Sequence, residues 1–212
     1  MAELSPEIRG AAASDLGEIT ALHLRGFPGA TLSRLGPSVV TDMYREFLDG
    51  ADGYLFVAVR GGRIVGFVAA ADDGAALRSR FLRHSGLGLA PVVARRAARD
   101  PVLRRELRSR LLRRISSARR DRVPPTVPAP VAARLLSIAV DEPERGAGVA
   151  EALVGALCAA MQRGGVAMVG LSVRHDNPRA LRFYLRTGWE VERSSEDGIY
   201  LRRLTGADAP SG

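Results

Sequence analysis

Apolar residues recur along this chain with two periods, and the switches between them mark out its elements. Glu7 to Ala12 suits a short strand. Ser14 is a good helix N-cap, and Asp15 and Glu18 sit in the first turn. Leu16, Ile19, Leu22 and His23 then share a helical face as far as Gly26. Phe27-Pro28-Gly29 breaks that helix, and Thr31 to Leu35 is a short connection. Pro37 opens a second helix to about Leu48, with Val40, Tyr44, Phe47 and Leu48 on its apolar side. Tyr54 to Arg60 and Arg63 to Ala71 are apolar, β-branched runs around Gly61-Gly62, a hairpin signal because a two-residue turn needs positive φ. Asp72-Asp73-Gly74 ends the second run.

The later half of the chain alternates strand and helix. Leu135 to Val140 suits a buried strand, stopped by Pro143, Gly146 and Gly148. Helical spacing follows, with Val149, Leu153, Val154, Leu157, Ala160 and Met161 on one face. Gly164-Gly165 stops it. Val166 to Val173 is the next buried strand. Asn177 as N-cap and Pro178 at the first helical position start another helix, with Ala180, Leu181, Tyr184 and Leu185 on one face and Thr187-Gly188 at its close. Trp189 to Arg193 and Gly198 to Arg203 form a terminal strand pair, and Thr205 to Gly212 a frayed tail.

Between the halves lies an Arg-rich stretch, 76–130. Leu77 to His84, Val92 to Arg99 and Val102 to Ser117 suit helices, broken by Gly86-Leu87-Gly88, Pro91 and Pro101. Leu103, Leu107, Leu111, Leu112 and Ile115 make an apolar stripe. Pro124, Pro125, Pro128 and Pro130 form a stiff link back. The stretch holds 15 Arg against Asp100, Glu106 and Asp121, so it exceeds the whole chain's net charge of +8, and the remainder is acidic. A solvated helical insertion, a lid over an acidic substrate, an anionic membrane contact and nucleic-acid binding are all open. Phe81 is the lone aromatic there, which argues against single-stranded nucleic acid.

Composition narrows the classes further. At 212 residues, 46% hydrophobic and 25% charged, the chain can bury a proper core in one domain. No apolar run approaches the roughly 20 residues of a membrane span. Met1 to Gly10 has no basic n-region or apolar h-region, so the expected compartment is the cytoplasm. Cys158 is the only cysteine, and His23, His84 and His175 lack zinc-ligand spacing, so no metal is expected. All the basic residues are Arg, a bias that fits a GC-rich bacterial genome.

The strand, loop and helix from Leu135 to Ala150 carry the clearest chemistry. A helix that begins at a strand's end points unpaired N–H groups and its positive dipole end at one spot. That spot favours an anion, most naturally phosphate. Gly146 and Gly148, without a Cβ, let it approach the backbone. The loop has neither the Gly-Lys-Ser/Thr ending of a P-loop nor a Gly-x-Gly-x-x-Gly pattern, so an ordinary glycine-rich turn also remains open.

Two motifs resemble the GNAT superfamily of N-acyltransferases. Arg145-Gly146-Ala147-Gly148-Val149-Ala150 fits Q/R-x-x-G-x-G/A, and Asn177 to Trp189 fits N-x-x-A-x-x-F-Y-x-x-x-G-F with Trp in the last place. The likeness is good over Leu135 to Leu201; Glu7 to Ala71 fits by pattern. It implies an α/β (α+β) fold: one domain with a mixed, mostly antiparallel sheet flanked by helices and interrupted by the Arg-rich insertion. It implies acetyl-CoA as cofactor, with backbone N–H groups of Arg145, Gly146, Ala147, Gly148, Val149 and Ala150 on the pyrophosphate. Ile138, Ala139 and Val140 would offer backbone groups to the pantetheine arm where two strands splay apart, and Asn177 would touch that arm. Tyr184 would be the general acid, since a phenol of ordinary pKa near 10 is protonated at neutral pH. A core role for Tyr184 and a capping role for Asn177 stay open.

The general base is not readable. Where some members carry a Glu, this chain has Ser137, which is not a useful base; Asp72 and Asp73 are candidates, and His23 a weaker one. Leu24 to Met43 is similar to bacterial members associated with polysaccharide or sugar-nucleotide pathways. With an electropositive lid, the expected acceptor is a small anionic amine such as an amino sugar. The resemblance leaves a homodimer open. The alternative is a non-catalytic or regulatory acyl-CoA-binding GNAT-fold protein whose basic insertion binds a membrane surface or macromolecular partner.

Overall fold

The computed structural model describes residues 5–109 and 131–206. Its strands form one seven-stranded sheet in the order β1-β2-β3-β4-β5-β7-β6. They are β1 (Glu7–Gly10), β2 (Gly53–Arg60), β3 (Arg63–Ala71), β4 (Arg134–Val140), β5 (Met168–Val173), β6 (Glu190–Ser195) and β7 (Gly198–Leu204). Every neighbouring pair is antiparallel except β4 and β5. The mixed, mostly antiparallel sheet expected from the sequence is therefore present, flanked by helices.

Helices cover both faces. On one lie α1 (Leu16–Gly26), α2 (Thr31–Leu35) and α3 (Pro37–Asp49). There Ile19, Leu22, Val40, Tyr44, Phe47 and Phe67 form a closed apolar cluster. On the other lie α6 (Val149–Arg163) and α7 (Pro178–Arg186), with Leu153, Leu157, Met161, Tyr184 and Trp189 at its centre. The hairpin turns at Gly61 and Gly62, both at positive φ, as the sequence predicts.

The Arg-rich stretch departs from expectation. Instead of two pieces broken at Gly86-Leu87-Gly88 and Pro91, one helix runs through them: α4, Gly74–Arg99. Its packing explains why. Leu77 and Phe81 are buried, and Leu89, Val92 and Val93 pack against Leu35 and Val39 of α2 and α3. This tertiary contact outweighs the local preference of Gly and Pro. Helical residues 101–109 (α5) turn back after Asp100 and bury Leu103 in the same cluster. Leu111, Leu112, Ile115, the prolines from Pro124 to Pro130, and the tail beyond Gly206 lie outside the described residues.

Two local expectations also change. Thr31 to Leu35 is a short helix rather than a connection. Ser14 does not cap α1; the Asp15 carboxylate takes the Ala12 N–H at 2.8 Å and the Arg9 guanidinium at 2.6 Å.

Candidate functional site

β4 carries a bulge. Ala69 pairs with Ser137 and Ala70 with Leu135, which leaves Leu136 as the extra residue. A bulge bends its strand and increases the local twist. Beyond it, β4 and β5 share only the pair Arg134 and Gly170, while β5 continues in full register with β7. The two strands therefore part, and the β5-facing edge of β4 from Leu135 to Val140 is left open to an extended chain.

The open edge ends at the glycine loop. Gly146 and Gly148 have φ of 93° and 75°, a region L side chains rarely enter. No atom lies within 4 Å of the Cβ either would carry, so the backbone there faces open space. Gly148 is the N-cap of α6, whose first N–H groups point out of the loop. Arg145 folds across it, its Nε donating to the Val140 carbonyl at 3.3 Å. The loop is anchored from outside by Arg60 with Glu144 at 2.5 Å and Arg25 with Asp141 at 3.2 Å. This donor set fits a diphosphate, and the adjoining gap fits a pantetheine arm.

A cleft of about 440 Å³ joins these features. Ile138, Ala139, Val140, Arg145, Gly146, Ala150, Asn177 and Tyr184 line it, so the structure brings most of the sequence-derived candidates together. Ala147 and Val149 belong to the same loop and helix start, with Val149 buried beneath them. Asn177 Oδ1 accepts the Ala180 N–H at 3.1 Å, so its side chain serves as a cap. Asn177 is still one of the residues lining the cleft.

Tyr184 is 6% exposed and packs edge-on against Trp189, ring centroids 5.3 Å apart. Burial pushes its phenol pKa up, so the hydroxyl keeps its proton throughout the neutral range. It is both a core aromatic and a cleft residue.

Asp72 and Asp73 are elsewhere. Ala71, just before them, pairs with Arg134 at the start of β4, whereas Gly66 pairs with Val140 beside the glycine loop. The seven residues of β4 span about 20 Å at ~3.3 Å per residue. Asp73 caps α4, accepting the Ala75 and Ala76 N–H groups at 2.7 and 3.0 Å. Those bonds hold its carboxyl below the usual carboxylate range. Asp72 instead meets the Tyr54 hydroxyl.

Sequence reasoning missed Gly26 and Phe27 at the end of α1, and Arg179, Arg182, Phe183 and Arg186 on α7, all on the cleft wall. The α7 residues recur at helical spacing, a signal that was available. Nothing local marks Gly26, whose place depends on α1 meeting Ala139 of β4.

Comparison with known proteins agrees with this geometry. Residues 115–189 match the family model "Acetyltransferase (GNAT) family". No curated protein matches the chain in sequence at a significant level. Among solved structures, SsHAT is 22% identical with a TM-score of 0.61, covering 96% of this chain and 100% of its own. PaiA N-acetyltransferase from Thermoplasma acidophilum, in complex with coenzyme A, is 12% identical with a TM-score of 0.58, covering 95% and 99%. The ribosomal-protein-S18-alanine N-acetyltransferase from Escherichia coli is 16% identical with a TM-score of 0.54, covering 97% of each chain. Residues 115–189 are thus similar to the GNAT acetyltransferase family, and nearly the whole chain shares the fold of these solved structures.

Proposed function

We propose that this chain is a cytoplasmic N-acetyltransferase that moves an acetyl group from acetyl-CoA to the primary amine of a small, anionic acceptor, such as an amino sugar or sugar nucleotide. Bound acetyl-CoA supplies a thioester open to direct attack by an amine. The loop from Arg145 to Ala150 would hold its pyrophosphate through backbone N–H groups. The free edge of Ile138, Ala139 and Val140 would pair with the pantetheine arm. Tyr184 would hold a proton at its Oη for the departing sulfur.

One observation carries the anionic acceptor. The Arg-rich insertion is tied to α2, whose Thr31 follows Phe27 of the cleft by four residues. Thr31 Oγ1 donates to Glu106 at 2.6 Å, and Arg34 pairs with Asp100 at 2.8 Å. Glu106 also helps to hold the charge of Arg174, just after β5. With its acidic residues engaged in this way, α5 presents Arg104, Arg105 and Arg108 at exposed positions, a field that favours anions and repels polyamines. The test is thiol release from acetyl-CoA across a panel of amines. Turnover of amino sugar phosphates or sugar nucleotides is expected; robust acetylation of spermidine with none of amino sugars would reject the anionic acceptor.

A second reading rests on exposed arginines of α4. Arg83, Arg95 and Arg99 are exposed and form no ion pair among the described residues. Positive charge of this kind suits an anionic membrane surface. Replacing all three by Glu should abolish sedimentation with phosphatidylserine vesicles and leave acetyl-CoA binding intact. Equal sedimentation of wild type and variant would remove this reading.

A further inference from the structure

A cluster of arginines lies where β4 and β5 rejoin. Arg134 of β4 is opposite Ala71, a member of the apolar cluster under α1 and α3, so its side chain lies on that face of the sheet. It pairs across β4 and β5 with Gly170. A Cβ on Gly170 would come within 2.8 Å of Arg134 Nη1. The missing side chain therefore lets Arg134 cross β5 and reach Tyr200 of β7, its guanidinium carbon 5.5 Å from the ring centroid. Arg193, opposite Tyr200 on β6, lies over the same ring at 3.5 Å. Ser172, two residues beyond Gly170 and paired with Tyr200, is exposed, so this face is open to solvent there.

Packing alone does not account for this arrangement. Arg134 is half-buried, and neither it nor Arg193 forms an ion pair among the described residues. Burial is the main influence on Arg134 and pulls its pKa below the usual arginine value; Glu192 and Tyr200 offset this in part, and Arg193 and Arg78 oppose them. Three arginines thus share one carboxylate, whose Oε2 is itself buried without a hydrogen-bond partner. The guanidinium stays charged at neutral pH. Its contact with Tyr200 recovers part of the desolvation cost, but its N–H fork is left without an acceptor among the described residues.

Building on the N-acetyltransferase reading, we propose that Arg134 and Arg193, held against Tyr200, bind the phosphate group of the acceptor. A planar guanidinium donates two parallel N–H bonds to a phosphate. Contact with Tyr200 orients both forks in advance, so less freedom is lost when the anion arrives. The position suits an acceptor. The open edge of β4 runs from Val140, beside the glycine loop, to Arg134, where the strands rejoin. A pantetheine arm that follows this edge from the loop brings its sulfur toward the Arg134 end. A phosphate held there sets the acceptor amine between the arginines and the thioester, and such positioning speeds attack. The carboxylates of the main cleft, Glu144 and Glu151, lie at its loop end and are paired with Arg60 and Arg186.

The test combines binding with kinetics. In protein saturated with coenzyme A, so that the glycine loop is occupied, inorganic phosphate is titrated while arginine Nε–H resonances are followed by NMR. Saturable shifts of Arg134 and Arg193 are expected; resonances that do not move would overturn the site. Thiol release is then compared for each amino sugar phosphate of the panel and its unphosphorylated parent. Wild type should favour the phosphorylated amine in kcat/KM. Arg134→Gln and Arg193→Gln should each cut that preference by about 10-fold or more, the range of hydrogen bonds to charged groups, through KM and with kcat within threefold. Gly170→Ala, which adds no charge but crowds Arg134 Nη1, should act in the same direction. A preference that both arginine variants retain would overturn the proposal. Arg193 is on the edge strand, so Arg193→Gln decides the point if Arg134→Gln fails to fold. A chain that binds coenzyme A but acetylates no amine would defeat the proposed function instead, and the phosphate titration would then decide the cluster alone.

Discussion

At the residue scale, the cleft derives its chemistry from side chains whose burial sets their protonation. Tyr184 is held in the acid form by an apolar surround. Replacing it with Phe keeps the packing against Trp189 and removes only the hydroxyl. We expect kcat to fall by roughly 100-fold or more, in line with general-acid contributions, while acetyl-CoA affinity is unchanged. A rate within twofold of wild type would exclude Tyr184 as the acid. His23 yields a second prediction, about pH and stability. Its folded pKa, lowered from 6.5 to about 4, lies below its unfolded value. The unfolded chain therefore binds the extra proton between those limits, and stability is complete above the upper one and lost as pH falls toward the lower. The slope is on the order of 1.4 kcal/mol per pH unit at most. Denaturant titrations of wild type and His23→Gln should run parallel above pH 6.5 and differ in slope between pH 6.5 and about 4, where wild type alone loses the His23 contribution as pH falls; equal slopes throughout would show that His23 is not buried as a neutral ring.

At the scale of elements, the site is a product of two irregularities in β4: the bulge at Leu136 and the early parting from β5. Neither is visible in a run such as Leu135-Leu136-Ser137-Ile138, because periodicity describes a strand's faces and not its partners. The same limit explains α4. Glycines and a proline in its sequence signal breaks, but Leu89, Val92 and Val93 find an apolar surface on α2 and α3 that holds the helix together. The aspartates between β3 and α4 show the opposite case, where a local signal had a local meaning. Asp73 at a strand end before a helix is an N-cap. Asp73→Ala should cost about 1 kcal/mol of stability and leave turnover within threefold. A loss of 100-fold or more in kcat without a change in fold would return Asp73 to the list of bases.

At the scale of the molecule, two apolar layers on one sheet hold the glycine loop, the open strand edge and Tyr184 around one cleft. A ligand that spans them should stabilise the folded state as a whole. At a hundred times its dissociation constant, acetyl-CoA should add about 2.7 kcal/mol, seen as a raised melting temperature that Arg145→Ala diminishes. No shift with either acetyl-CoA or coenzyme A would mean that the cleft has lost this ligand. Much of this arrangement was legible in the chain itself. Strand and helix order, the hairpin at Gly61-Gly62, the cap at Asn177 and the anion-facing loop at Gly146 and Gly148 all depend on neighbours in sequence, where backbone preference and apolar spacing act directly. Tertiary structure alone decided which groups meet. Gly26 and Phe27 reach the cleft, His23 meets Tyr44, and Asp72 and Asp73 fall at the far end of the sheet through strand pairing and helix packing between residues distant in the chain. Those contacts depend on shape and burial summed over the whole fold, and no local pattern encodes them.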